Sequence, residues 1–398
     1  MTKSVDLLKF LGLSNEKVSK PLEFQSFSLS PENQRILGEP HERNTVTPLA
    51  LKPLDIEASR VTLDAAILAV KDLQASERFF TRKLAQHGTL LFRGLPIHSV
   101  DDFSKFGYAF GFSEHEIIGI VVDRPLLAPN VAPANEAPKE VLIYNHNESP
   151  QVPHAPEYIL FYCLKAPEIG GETPISSSVE LLQRAKEEMP EFITELAEKG
   201  ILSKVTYKVE KQYAGGSTLK QAFGKEIVDG DDRATRKRKV EEQIKRYERG
   251  EHTTWEWTDD DQTLVLSHRL PAIRTHPHTK LPTLFTGLAA YYKNFVDKSS
   301  PNSGRRNITQ QLYGDGKPIP EEYLKKLADI TDEIRVLHTW QQGDVLVYDN
   351  VIAQHGRQPW EGEQGDRVIL ASLWDGDAVP GQYKGSRGSW AQVVQARA

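Results

Sequence analysis

Cysteine is nearly absent from this 398-residue chain: Cys163 is the only one, so no internal disulfide can form. It lies in the apolar run Ile159-Leu-Phe-Tyr-Cys-Leu164, as a small core residue would, and such usage fits a reducing compartment. Long hydrophobic runs are missing too. No segment approaches the roughly 20 apolar residues that cross a bilayer, and Asp6 and Lys9 interrupt the N-terminal leucines before a signal-peptide core is reached. Nor is there a basic excess: 49 Lys and Arg against 55 Asp and Glu leave a net charge of −6, which argues against a nucleic-acid partner. With 27 Gly and 24 Pro the collagen-like and low-complexity classes also fall away. The expectation is a cytoplasmic protein with a small-molecule partner, no membrane and no nucleic acid.

What remains is a globular pattern. Residues 1–60 mix Pro, Ser, Glu and Lys without period and read as an N-terminal extension, opened by a short amphipathic helix, that packs over a domain spanning 61–398. Leu63 to Leu84 recurs at helical spacing, Gly88 to Gly94 brackets a short strand, and Asp101 to Gly111 is helical. Strands follow near 140–144, 158–164, 262–266, 283–285, 344–348 and 367–374, and helices are expected over 178–199 and 231–250. Many short strands broken once by a helical insertion near 178–260 predict a mainly β barrel or sandwich with helices. The run Arg236-Lys-Arg-Lys239 lies among Glu241, Glu242 and Glu248 at helical spacing and reads as a solvated helix face.

The chemistry begins at His146-Asn147-Glu148, just after the apolar Val141-Leu-Ile143. Alternate residues of a strand share a face, so an imidazole and a carboxylate at i and i+2 give two metal ligands from one element. A second histidine from elsewhere would complete a two-histidine, one-carboxylate site for Fe(II), with three positions left open. Taken singly the motif means little, because 12 His and 55 acids predict roughly 1.7 chance matches. A competing metal pair is His276-Pro277-His278, but its proline cannot donate to a sheet ladder and places the pair in a turn.

Further segments stand in a specific order. Gly170-Gly-Glu-Thr173-Pro places a threonine 25 residues after Glu148. Trp340-Gln-Gln-Gly-Asp-Val-Leu-Val-Tyr-Asp349-Asn350 leads to His355-Gly-Arg357, and Arg367 follows His355 by 12 residues. Together with Leu90-Leu-Phe-Arg-Gly94 and Arg274-Thr-His276-Pro-His278, this pattern over residues 85 to 376 resembles the taurine dioxygenase-like Fe(II)/2-oxoglutarate oxygenases, in particular the clavaminate synthase-like branch with its His-x-Glu motif. The resemblance implies a double-stranded β-helix (jelly-roll) core, iron on His146, Glu148 and His355, and 2-oxoglutarate and O2 as co-substrates. It also implies that Thr173 and Arg367 bind 2-oxoglutarate. An arginine fork suits the distal carboxylate of that co-substrate, and a threonine hydroxyl adds a hydrogen bond.

The expected reaction is oxidation of an unactivated C–H bond by hydroxylation, desaturation or cyclisation. Taurine-oxidising relatives carry a second arginine four residues after the co-substrate arginine; here that position is Ala371, which argues against an alkylsulfonate. An amino acid or secondary-metabolite intermediate is expected instead, with Arg124 and Arg274 as the residues that would meet its carboxylate. Two other readings stand beside it: a cupin-type metal hydrolase or isomerase using His276, His278 or the same triad, which has no need of Arg367 and Thr173, and a non-catalytic binding protein on the same fold.

Overall fold

The computed structural model describes residues 22–54, 61–117, 125–134, 137–209, 218–223, 226–247, 253–300, 309–376, 378–379, 381–382 and 387–388. The expected N-terminal helix lies outside the described residues. The elements that build the site are, in chain order, β1 (Phe24–Phe27), β2 (Leu49–Pro53), α1 (Leu63–Glu77), α2 (Phe79–His87), β3 (Thr89–Phe92), α3 (Val100–Tyr108) and β4 (Ser113–Glu114). Next come β5 (Ala132–Pro133), β6 (Ile143–His146), β7 (Tyr158–Lys165), β8 (Thr173–Ser177), α4 (Ser178–Glu188), α5 (Pro190–Lys199) and β9 (Ile201–Lys208). The rest are α6 (Arg233–Tyr247), β10 (Thr253–Thr258), β11 (Thr263–Leu270), β12 (Thr309–Tyr313), α7 (Glu321–Ile334), β13 (Val336–His338), β14 (Val345–Asp349), β15 (Ala353–Arg357) and β16 (Val368–Asp375).

Strand β7 shows why the chain folds as it does. Tyr158, Leu160 and Tyr162 point into a core with Phe80, Phe92 and Trp374, whereas Ile159, Phe161 and Cys163 point into another with Ile175, Val336 and Ala353. Both faces are covered, so the run is apolar at almost every position. It is central to an 8-stranded sheet ordered β1-β2-β3-β14-β7-β16-β4, with β5 also on β16. A 4-stranded sheet, β13-β8-β15-β6, faces it. Helices α1 to α3 cover the far side of the larger sheet through edge-on phenylalanines such as Phe92 and Phe106, 5.5 Å apart.

The expected helix over 63–84 is two helices. Arg78 takes the left-handed conformation at φ 51°, and the Gln74 side chain accepts the amides of Phe80 and Thr81 at 2.8 and 3.1 Å, capping the new start. The expected 178–199 helix likewise breaks at Met189, because Pro190 starts α5 at a position where a missing N–H costs nothing. Two further expectations are corrected. The region 178–260 is not simply helical: β9 and β10 lie within it and join β11 and β12 in a sheet of their own, ordered β10-β11-β9-β12. Ser203, Val205 and Tyr207 face inward at period two, and Val240 and Ile244 of α6 pack on Leu264 and Leu266. The N-terminal extension is in part woven into the large sheet, since β1 pairs with β2 and β2 runs parallel to β3. The basic run on α6 is an ion-paired surface, with Arg238 on Glu242 at 2.7 Å and Lys239 on Asp231 at 2.9 Å.

One ion pair ties β3 to the loop before β14. Arg93 Nε and Nη2 donate to the two oxygens of Asp344, each at 2.7 Å, and Asp344 is fully buried. Burial alone would raise the Asp344 pKa, but the hydrogen bonds from Arg93, with His338 Nε2 3.5 Å away, outweigh it and hold the carboxyl below its ordinary range. Stability from a depressed carboxylate is present above its unfolded pKa and lost as pH falls through the folded value. Asp344→Asn is therefore expected to lower unfolding free energy by about 2 kcal/mol near neutral pH. Urea melts should show the two proteins converging as pH drops below about 4; a gap that persists at low pH contradicts the assignment.

Candidate active site

Strands β6 and β15 pair with His146 opposite His355, and a register shift follows between His355 and Arg357. Gly356 sits in that shift, where a Cβ would collide with the Ile143 carbonyl and Pro174. His146 Nδ1 is held by the Tyr144 carbonyl at 2.8 Å, which leaves Nε2 to face inward. His355 Nε2 lies 3.2 Å and His146 Nε2 3.9 Å from Glu148 Oε2, and the two rings are 4.7 Å apart. Burial, and next the neighbouring His355, lower the His146 pKa, so the ring is neutral as a metal ligand must be. Three donors from separate side chains converging within 4.8 Å fit one divalent ion.

Glu148 is not placed by continuation of its strand, because β6 ends at His146. Asn350 places it. Its Oδ1 accepts the Glu148 amide at 2.6 Å, while its Nδ2 donates to the carbonyls of Glu148 and Pro156 at 3.1 and 2.8 Å. Asn147 is pinned to the Asn350 carbonyl at 2.7 Å and accepts the Thr286 amide at 2.9 Å. Asp349-Asn350 closes the motif that opens at Trp340, but nothing in the sequence marks Asn350 as the clamp on a ligand. Asn350→Ala is expected to weaken iron binding by about 10- to 100-fold, as loss of a supporting hydrogen bond does. Anaerobic iron titration measures it, and unchanged affinity would refute the clamp.

Thr173 and Arg367 line the same cavity. Arg367 Nε donates to the Gly171 carbonyl at 2.7 Å and Nη2 to Thr173 Oγ1 at 3.3 Å, and its guanidinium lies 5.8 Å from the Trp360 ring. Trp340 Nε1 also donates to Thr173 Oγ1, at 3.0 Å. With two donors already on its oxygen, the Thr173 hydroxyl proton is left to be given to a ligand. Burial, then the charge on Arg357, push the Arg367 pKa down to about 9. A half-buried cation in that state is short of a counter-charge, which a ligand carboxylate supplies. The two tryptophans were not singled out from the sequence; Trp340 opens the same motif that ends at Asn350.

Strand β16 completes the wall. Arg367, Ile369, Ala371 and Leu373 all line the cavity, so positions 367 and 371 do share a face. The other expected site residues are placed differently. Arg124 lies outside the described residues. Arg274 is a correction: it does not line the cavity but lies buried with its guanidinium 3.9 Å from the Phe285 ring and Nε on the Pro271 carbonyl. His276 is engaged on both nitrogens, by Thr279 Oγ1 and Asp349 Oδ2 at 2.9 Å each, so the His-Pro-His turn supports structure. Among the described residues no helix is long and apolar enough to cross a membrane.

The chain is 31% identical over 306 residues to a clavaminate synthase-like protein of Arabidopsis thaliana, covering 77% of this chain and 87% of that one. It is 28% identical over 333 residues to the dapdiamide synthesis protein DdaC of Enterobacter agglomerans, covering 80% and 93%. A solved taurine dioxygenase from Burkholderia xenovorans superposes with a TM-score of 0.45 at 12% identity, over 95% of this chain and 99% of that one. Residues 45–374 match the model described as taurine catabolism dioxygenase TauD, TfdA family. With most of its length inside that match, and with a two-histidine, one-carboxylate group in its cavity, the chain belongs to the TauD/TfdA family of iron- and 2-oxoglutarate-dependent dioxygenases.

Proposed function

We propose that this chain oxidises an unactivated C–H bond of a small carboxylate-bearing molecule, an amino acid or a secondary-metabolite intermediate, in a double-stranded β-helix core formed by the two facing sheets. The observation that carries the reading is the shared cavity: His146, Glu148 and His355 converge at one place in it, and Thr173 with Arg367 at another.

In this reading His146, Glu148 and His355 hold iron, and Arg367 and Thr173 hold the distal carboxylate of 2-oxoglutarate. The bound iron and co-substrate together supply the oxidising power, using O2. What the chain itself does is position. The Arg367 fork and the Thr173 hydroxyl fix one end of the co-substrate, so its 2-oxo acid end is carried toward the ligands. Asn350 and Asn147 keep the Glu148 backbone in place. Phe161, 5.1 Å from the His355 ring, and Ile369 make the wall apolar and keep water from the reacting end. Whether the outcome is hydroxylation, desaturation or cyclisation depends on where a substrate C–H bond rests against that wall.

Ala371 bears on the substrate. It sits on the cavity face where an arginine would meet a sulfonate, and it leaves that position apolar. Taurine is therefore expected to leave 2-oxoglutarate consumption at its substrate-free rate. The test has two stages. Anaerobic addition of Fe(II) and 2-oxoglutarate should give the weak visible charge-transfer band of a chelated 2-oxo acid. A screen of amino acids should then reveal compounds that raise succinate formation. Iron binding without the band favours the hydrolase reading; stimulation by taurine refutes the exclusion of sulfonates.

A further inference from the structure

The residues next to the metal ligands form a second layer on the reverse face of the small sheet. His146 lies between Asn145 and Asn147, Glu148 follows Asn147, and His355 follows Gln354. Successive residues of a strand point to opposite faces, so Gln354 turns away from the cavity that His355 lines. Asn145, Asn147, Ser176 and Gln354 are each no more than 1% exposed. Four polar side chains buried in one place cost folding energy unless they bond one another.

They do so, and in one direction. Asn145 Nδ2 donates to Ser176 Oγ at 2.9 Å, Ser176 Oγ to Gln354 Oε1 at 3.3 Å, and Gln354 Nε2 to Asn147 Oδ1 at 3.3 Å. Asn147 Nδ2 then donates to the Asn350 carbonyl at 2.7 Å. Backbone groups fix the sense of this run. The Thr286 carbonyl, which can only accept, takes Gln354 Nε2 at 3.3 Å, and the Thr286 amide, which can only donate, gives its proton to Asn147 Oδ1 at 2.9 Å. Neither side-chain amide can turn over without setting like groups face to face. The run ends on Asn350, whose side chain holds the Glu148 amide.

Its place in the sheet gives the run its consequence. Ser176 and Gln354 are direct partners in the β8 to β15 ladder, so their bond adds to a register the backbone already sets. Between β15 and β6 the ladder gives out. His355 opposes His146, β6 ends there, and the Asn147 backbone amide donates instead to the Thr286 carbonyl at 3.2 Å. Glu148 therefore stands two residues past the last paired position. The Gln354 side chain spans that gap, because it reaches both Asn147 and the Thr286 carbonyl, the groups that take over where the ladder stops. A longer bond from Asn147 Nδ2 to the Ala353 carbonyl, at 3.4 Å, adds to the tie.

We infer that Gln354 is a positioning residue for the metal centre: by tying β15 to the segment after β6, it sets the separation of His355 from Glu148, whose ligand atoms stand 3.2 Å apart. It acts on the ligands through the backbone of their neighbours rather than by bonding their side chains. The inference rests on the ligand assignment in the function proposed above.

The experiment is anaerobic equilibrium dialysis of the metal-free full chain against Fe(II), with a urea melt of each protein beside it. Gln354→Met fills much the same space without the amide and is expected to weaken iron binding by about tenfold or more, as loss of a supporting hydrogen bond does. Ser176→Ala is the control. It breaks the same run on the side of β8, which carries no metal ligand, so its urea midpoint should fall while its iron affinity stays where it was. A merely structural network would lower the midpoints and either spare iron binding in both variants or weaken it alike in both; each of these results overturns the inference. Gln354→Asn keeps an amide but draws it back by one methylene from partners already at 3.3 Å, so it should weaken iron binding to a similar degree, and it decides the matter if the methionine variant does not fold. An unaltered protein that binds no Fe(II) overturns the ligand assignment itself.

Discussion

Alanine in place of His146 is expected to abolish iron binding and, with it, all measurable turnover. Two protein ligands are left where three converged, and the remaining pair, His355 and Glu148, lie 3.2 Å apart with no third donor to close the face. Because loss of a mere supporting partner already costs about 10- to 100-fold in affinity, loss of a direct ligand costs more than about 100-fold. The fold pays little for the change. His146 makes one hydrogen bond to its own strand, at the Tyr144 carbonyl, worth about 1 kcal/mol. Anaerobic titration of Fe(II), with succinate formation as the second readout, separates the two effects: a folded protein that binds no iron. His276→Ala is the contrasting control. That side chain bonds Asp349 at 2.9 Å in the core, so its loss should lower stability and leave iron binding intact. A fully active His146→Ala enzyme sinks the ligand assignment.

The parts of this site that were legible in the sequence are those set by short-range order. His146 and Glu148 are two residues apart, and the run before them is apolar enough to read as a strand. Arg367 and Ala371 share a face because strand geometry has period two, and the cavity wall bears that out. What stayed hidden depends on contacts between distant segments. Asn350 reaches Glu148 across 202 residues, and nothing local distinguishes it from an ordinary turn asparagine. His115 and Asp375 are 260 residues apart, and each is unremarkable in its own neighbourhood. Arg274 misled for the converse reason: its place in a motif suggested the cavity, but stacking on Phe285 buries it elsewhere. Strands β9 and β10 lie within the stretch that the sequence presents as a helical insertion, because the charged helix α6 dominates it. The alternation of Ser203, Val205 and Tyr207 was the available signal.

Loss of the Arg367 side chain is expected to raise the 2-oxoglutarate requirement by about two orders of magnitude while leaving iron affinity unchanged. The guanidinium sits against the Gly171 carbonyl and the Trp360 ring, with its charge unpaired by any acid at contact distance in the described residues. A carboxylate entering there gains charge-assisted hydrogen bonds at about 1.5–3 kcal/mol each. Their combined loss in Arg367→Ala, taken as about 3 kcal/mol, corresponds to roughly a 150-fold increase in KM for 2-oxoglutarate. Thr173→Val removes only a neutral hydroxyl, about 1 kcal/mol, and should cost roughly fivefold. Arg367→Lys restores the charge but not the planar fork, so it should recover only part of the loss. The order alanine, lysine, wild type in falling KM, at one unchanged iron affinity, separates a co-substrate anchor from a structural arginine. A structural arginine would lower stability and iron affinity together in the alanine variant, and would leave KM for 2-oxoglutarate where it was in whatever protein remained folded.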